Sequence, residues 1–248
     1  MSRMLTFTQD GWSVAKRFAH IGRRIEALKH LNRLLVCPDL PVGIAGEARR
    51  LAAEIELERQ RFGAARRHLK AALGLEPNEA EIYYLIGRSF EEDPEGADER
   101  ALRWYRKALS LSPSSAHYSA ALGRAAIRCN HVTFGTTHLS KAAEEAAGDL
   151  TVIRIVVEGF LEAGNTGEAR RVITRSRFLC PGRVLDQLDQ RTRFEDARRS
   201  QRRKQEAPIA TDGEVRSLPF LRVVGGSVRR DMGSRPTPHL QRLRFDRG

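Results

Sequence analysis

Three histidines, His117, His131 and His138, fall near Cys129 and form the densest grouping of metal-ligand types in the chain. A zinc site needs such side chains to converge on one point. Their spacing puts these on different helices and faces, so they read as an accidental grouping on solvated surfaces. Adjacent carboxylates occur at Glu91-Glu92 and Glu144-Glu145. General acid–base work needs carboxylates flanking one bond, whereas neighbours along a helix diverge by about 100°. The run RRSQRRK places Arg198, Arg199, Arg202, Arg203 and Lys204 together. Its chemistry is either that of a phosphate-contacting or targeting patch or that of a solvated helix end whose cations complement the helix dipole. The motifs GxxxxGK[ST], HExxH and GxSxG do not occur, and Gly225-Gly226 lacks the third glycine of a phosphate loop. The expectation is a non-enzyme with no catalytic residue, no metal and no cofactor.

Composition bounds the rest. The chain has 248 residues, 41% of them apolar, which is enough for a buried core. Lys and Arg number 43 against 31 Asp and Glu, a net charge of +12 that draws acidic partners or polyanions. The basic residues are mostly Arg, which fits a genome's codon composition equally well. Cys37, Cys129 and Cys180 lie far apart, giving neither a disulfide framework nor a CxxC knuckle. The start, MSRMLTFTQDGWSVAKRF, lacks the apolar core of a signal peptide, and no stretch approaches the ~18 apolar residues of a membrane span. A cytoplasmic, reducing location is expected.

The elements that would position any site announce themselves by repetition. In Ala101-x3-Tyr105-x2-Ala108-Leu109-x-Leu111-x-Pro113 the apolar residues recur at helical spacing and proline stops the helix. The same frame reads Ala65-x3-Leu69-x2-Ala72-Leu73-x-Leu75-x-Pro77, then Gly135-x3-Leu139-x2-Ala142 without a proline, then Ala169-x3-Ile173-x2-Ser176 closed by Pro181. The interval from Pro113 to Pro181 is twice 34 residues, a period that marks stacked helical hairpins. A second frame precedes each: Tyr83-x2-Ile86-Gly87-x2-Phe90, Leu122-Gly123-x2-Ala126, Val156-Val157-x2-Phe160 and, more loosely, Ala52-Ala53-x2-Glu56. Small residues at 65, 101, 135 and 169 let two helices approach, and the bulky residue four later fills the gap below. Tyr83, Phe90, Tyr105, Leu139 and Phe160 are therefore expected in the core.

The segment from Ala80 to Ser115 resembles the tetratricopeptide signature, W-x2-L-G-x2-Y…A-x3-F…P, at nearly every slot, with two extra residues in its turn, EEDPEG. The resemblance implies an all-α, right-handed solenoid of antiparallel helix pairs over residues 8–181. Five repeats are expected, at 8–40, 46–79, 80–115, 116–149 and 150–181; the first is divergent and followed by an insertion, DLPVGI. A capping helix follows at 182–204, with Val184, Leu185, Leu188 and Phe194 along one face. Residues 205–248 are rich in Gly, Pro, Ser and Arg and are expected to be a flexible tail. Its apolar island, LPFLRVV at 218–224, is a motif for a partner, a segment that folds back on the solenoid, or a local collapse.

The family's first helices line a concave surface that binds a peptide, and the same slots here hold the groove candidates Trp12, Lys16, Arg50, Tyr84, Arg88, Arg124, Arg128 and Arg154, together with Glu54, Glu91, Glu158 and Leu161. So arginine-rich a stripe suits a protein segment carrying carboxylates or phosphates, with Trp12 and Tyr84 as stacking surfaces. Arg50 with Glu54, and Arg154 with Glu158, are spaced to pair along their own helices instead. The family's carboxylate clamp for chaperone tails is not matched: its slots hold Trp12, Lys16, Leu51, Glu81 and Leu85. The resemblance implies a non-catalytic adaptor or scaffold for protein partners. The alternative is a nucleic-acid-associated helical repeat using the arginines as an electrostatic track.

Overall fold

The computed structural model describes residues 2–206, apart from 147 and 181, and the side chains of 2–9, 204 and 206 are outside that description. Among the described residues there are eleven helices and no strand. They run as antiparallel pairs: α1 (Ser2–His20) with α2 (Arg24–Leu34), α3 (Val42–Glu58) with α4 (Phe62–Leu75), and α5 (Ala80–Glu91) with α6 (Asp98–Leu111). Then come α7 (Ala116–Arg128) with α8 (Val132–Glu145), α9 (Leu150–Glu162) with α10 (Thr166–Arg177), and a single α11 (Arg183–Glu206). Each pair touches the next, and first helices touch first helices across α1–α3, α3–α5 and α7–α9, so the arrangement is a solenoid.

The small-then-large spacing explains how each pair closes. Ala65, Ala101 and Ala169 are fully buried, as are Leu69 and Leu139, with Tyr105 and Ile173 at 1% exposure. The tightest joint lies between α7 and α8. A Cβ on Gly123 would stand 2.8 Å from the carbonyl oxygen of Gly135, and one on Gly135 would stand 2.5 Å from Ile127. The apolar core is accordingly a chain of local clusters, each drawn from neighbouring helices; Ala53, Leu57, Leu69, Ile82 and Leu85, for instance, join α3, α4 and α5. Each such Leu or Ile contributes about 1.5–3 kcal/mol by leaving water.

Turns between paired helices share one device. Gly22, Gln60, Asn130 and Gly164 all take left-handed backbone angles, with φ of 78°, 57°, 63° and 83°. There the chain reverses after the first helix, and the following N–H groups donate back to its last carbonyls, as Asn165 does to Phe160 (2.8 Å). The longer turn after α5 is fastened from α4 instead. Arg66 donates to the Ser89 carbonyl (3.0 Å) and to Asp93 (2.8 Å) while lying over the Phe90 ring.

Several expectations need correction. Helix α3 runs from Val42, within the expected insertion, with Pro41 in the N-cap position; the joint after the first pair is residues 35–41, where the next two occupy only 76–79 and 112–115. Helix α1 reaches back to Ser2. Tyr83 is not core: it is only half-buried, donates to the Pro77 carbonyl (2.8 Å) and rests on Trp104. Phe90 is only partly buried, under Arg66 and Arg100. Helix α11 does cover the last pair with Leu185, Leu188 and Thr192, but Phe194 is 66% exposed and Val184 39%. At about 100° per residue, Phe194 falls about 200° round from Thr192 and cannot share its face. Residues 205 and 206 belong to α11. From 207 onward, including LPFLRVV and the expected tail, the chain lies outside the described residues, as does Pro181.

Candidate functional site

Helices α3, α5, α7 and α9 present one face each to an open cleft of about 810 Å³. Tyr84, Arg88, Arg124, Arg128 and Arg154 line it. A neighbouring hollow of about 840 Å³ between α1 and α3 holds Trp12, Lys16 and Arg50. Glu54 and Glu58 border both. Five of the eight residues expected on the concave side therefore line the cleft, and the other three line the hollow beside it.

Most of these arginines are already occupied. Arg88 donates to Glu92 (2.6 Å), and Arg50 faces Glu76 (3.9 Å) and Glu79 (3.6 Å) in the joint between α4 and α5. Arg124 reaches Glu91, Glu158 and Glu162 at 3.9, 3.2 and 3.0 Å; Arg128 reaches Glu91 and Glu162 at 3.2 and 3.1 Å. Arg191 of α11 takes the second oxygen of Glu158 at 3.6 Å. An ion-pair ladder therefore crosses α5, α7, α9 and α11. The pairings expected within helices, Arg50 with Glu54 and Arg154 with Glu158, do not form: Arg50 turns to the joint between α4 and α5, and Glu158 is taken by Arg124 of α7 and Arg191 of α11. Among the described residues Arg154 is exposed and has no ion-pair partner, and Lys16 lies over the Trp12 ring at 5.0 Å.

The middle of the trough is aromatic and acidic. The Tyr84 ring sits edge-on to His117 with centroids 4.6 Å apart, tilted against Tyr118 at 5.5 Å and backed by Tyr105 at 5.6 Å. Tyr118 donates to Glu81 (2.7 Å), and the buried Tyr105 hydroxyl donates to Glu91. Burial pushes the Tyr84, Tyr105 and Tyr118 hydroxyls up and the His117 ring down, so all four rings stay neutral at physiological pH. Burial likewise raises Glu54, with the charge of Glu81 adding to it and Arg50 and Arg88 opposing. Neither Glu54 nor Glu81 has a cation within 4 Å among the described residues. Sequence reading overlooked Tyr118 because its slot corresponds to that of the buried Ile82.

The other chemical candidates separate. Arg199 is structural: it donates to the Leu161 carbonyl (3.0 Å) and covers Gly164. Arg198 faces Glu195 at 3.9 Å, Arg202 and Arg203 are exposed, and the Lys204 side chain is outside the description. His117 belongs to the trough, His138 contacts Ser119 (3.2 Å) and meets the Phe134 ring edge-on, and His131 begins α8. No three His, Cys, Asp or Glu side chains gather as a metal site among the described residues. None of the described helices is long and apolar enough to cross a membrane.

Comparison with solved structures decides the architecture. A thermophilic tetratricopeptide-repeat protein of Thermus thermophilus superposes with a TM-score of 0.60 at 18% identity, over 77% of this chain and 99% of that one. The fold is a tetratricopeptide-type helical repeat. MamA (41-end) from Desulfovibrio magneticus RS-1 matches at 0.50 and 21% identity, over 56% of this chain and 75% of its own. YrrB, described as a tetratricopeptide-repeat protein with an unusual peptide-binding site, matches at 0.50 and 14% identity, over 73% and 90%. No family model matches the chain, and no curated protein matches it by sequence.

Proposed function

We propose that this tetratricopeptide-type chain is a non-catalytic interaction scaffold that holds a segment of another protein in its trough. The observation that carries the reading is the trough itself: four successive first helices contribute side chains to one open cleft that bears stacking surfaces, hydrogen-bonding groups and both signs of charge. The likeness to YrrB, titled for a peptide-binding site, supports it. A nucleic-acid track fits less well, since Glu54, Glu58, Glu81, Glu91 and Glu92 line the same cleft and would repel phosphates. The ladder also removes most of the expected arginine stripe from service, which weakens the case for a uniformly acidic guest.

A photo-crosslinking amino acid at Thr151, exposed in the cleft, tests the reading against one at Thr137, exposed on α8. Adducts to a protein partner from position 151 and none from 137 are expected. Adducts from 137 alone would place the interface elsewhere.

A further inference from the structure

We propose that the middle of the trough is a seat for a positively charged side chain, a Lys or Arg of the bound protein segment, held between the carboxylates of Glu54 and Glu81 and the faces of Tyr84 and Tyr118. The proposal rests on the peptide-binding reading above and states what that peptide must carry. Three sets of observations lead to it.

First, the charges around the cleft do not balance locally. Arg24 is bonded to Glu58 and Arg88 to Glu92, Arg124 and Arg128 are paired with Glu91 and the α9 glutamates, and Arg50 faces Glu76 and Glu79 at 3.9 and 3.6 Å. What these pairings leave over at the centre is two carboxylates on neighbouring helices, Glu54 on α3 and Glu81 on α5. Glu54 is half-buried, so its ionised form is poorly hydrated as well as repelled by Glu81. A cation between them relieves both costs, and a guest carboxylate would add to both.

Second, the surrounding surface suits a cation and not a metal ion. Neutral rings of Tyr84 and Tyr118 flank the carboxylates, and the negative face of an aromatic ring attracts ammonium and guanidinium groups. A Lys or Arg stem would lie along Leu85 and Ala121, the apolar residues of the same cleft. Third, the cleft has unfilled hydrogen-bonding capacity: His117 Nε2 is buried without a partner among the described residues. A main-chain group of a bound peptide would satisfy it. Toward α9 the exposed Arg154 offers a second charge of opposite sign, so the favoured segment carries its positive residue toward α5 and tolerates a carboxylate toward α9.

Selection from a phage-displayed random-peptide library on the full chain tests this directly. The expected consensus contains a fixed Lys or Arg, and synthetic peptides of that sequence should lose about tenfold or more in affinity when that residue becomes Gln, or when the protein carries Glu54→Gln with Glu81→Gln. Circular dichroism of the double variant should show unchanged helicity, since neither carboxylate holds an ion pair. A consensus with neutral or acidic residues only, or affinity indifferent to the double variant, overturns the cation seat while leaving the trough as the binding surface. Thr151→Trp separates the two readings, because it adds bulk on the α9 wall of the cleft and leaves both carboxylates in place. Peptides whose binding survives Thr151→Trp, or no enriched peptide at all, overturn the trough reading and the seat with it.

Discussion

Replacing Glu91 by Ala strikes the centre of the ladder. Its side chain is 13% exposed, accepts the hydroxyl of Tyr105, itself 1% exposed, and faces Arg124 and Arg128. Removing the carboxylate leaves a buried phenol with no acceptor, a loss of about 1–3 kcal/mol. The two arginines keep Glu158 and Glu162, so their share is that of partly solvated bridges, below about 1 kcal/mol together. The sum is about 1–4 kcal/mol, measurable by urea unfolding followed by circular dichroism. Glu91→Gln keeps an acceptor for Tyr105 and should lose only about 1 kcal/mol. Adding Tyr105→Phe to Glu91→Ala removes the orphaned hydroxyl and should recover about 1–2 kcal/mol. A Glu91→Ala variant within about 0.5 kcal/mol of the parent would refute the reasoning, because it would mean that Tyr105 finds water and the ladder bears no load.

Glu54→Gln should be more stable than the parent at neutral pH. A carboxyl whose folded value is raised contributes full stability below its unfolded value and loses it as pH rises through the raised one, so the advantage should shrink on acidification through the carboxylate range. Thermal unfolding across that range measures it. Gly135→Ala should destabilise by about 1–3 kcal/mol, since the methyl group meets Ile127 and the Gly123 carbonyl, and calorimetry would report it. Arg199→Ala should lower stability by about 1–2 kcal/mol through the lost bond to Leu161, whereas Arg202→Ala should be neutral to within about 0.5 kcal/mol; parallel urea titrations compare them.

Helix pairing was legible because it rests on short-range rules: proline after Leu75 and Leu111, and a small residue four before Leu69, Tyr105, Leu139 and Ile173. The slots on the first helices follow from the same frame, which is why the eight residues read from it line two adjoining hollows. What each charge would touch was harder. In register, Glu54, Arg88, Arg124 and Glu158 share one slot, and Glu92, Arg128 and Glu162 share another. Arg124 meets Glu158 and Arg128 meets Glu162, so a change of sign between neighbouring members of a column was the available signal; pairing within a helix misses it. Phe194 misleads because apolar type alone does not fix a face. Arg199 misleads because a basic run gives no hint that one member reaches the Leu161 carbonyl at the end of α9. Gln60 and Asn130 hold their turns without the glycine that usually marks them.

The ladder from Glu91 to Arg191 ties four successive coils along the inner rim with groups that are neither dry nor fully wet. Such ties weaken with electrolyte, although less than exposed ones do. Concentrated salt is therefore expected to loosen these ties between successive coils more than it loosens the alanine and glycine contacts against leucine that close each pair.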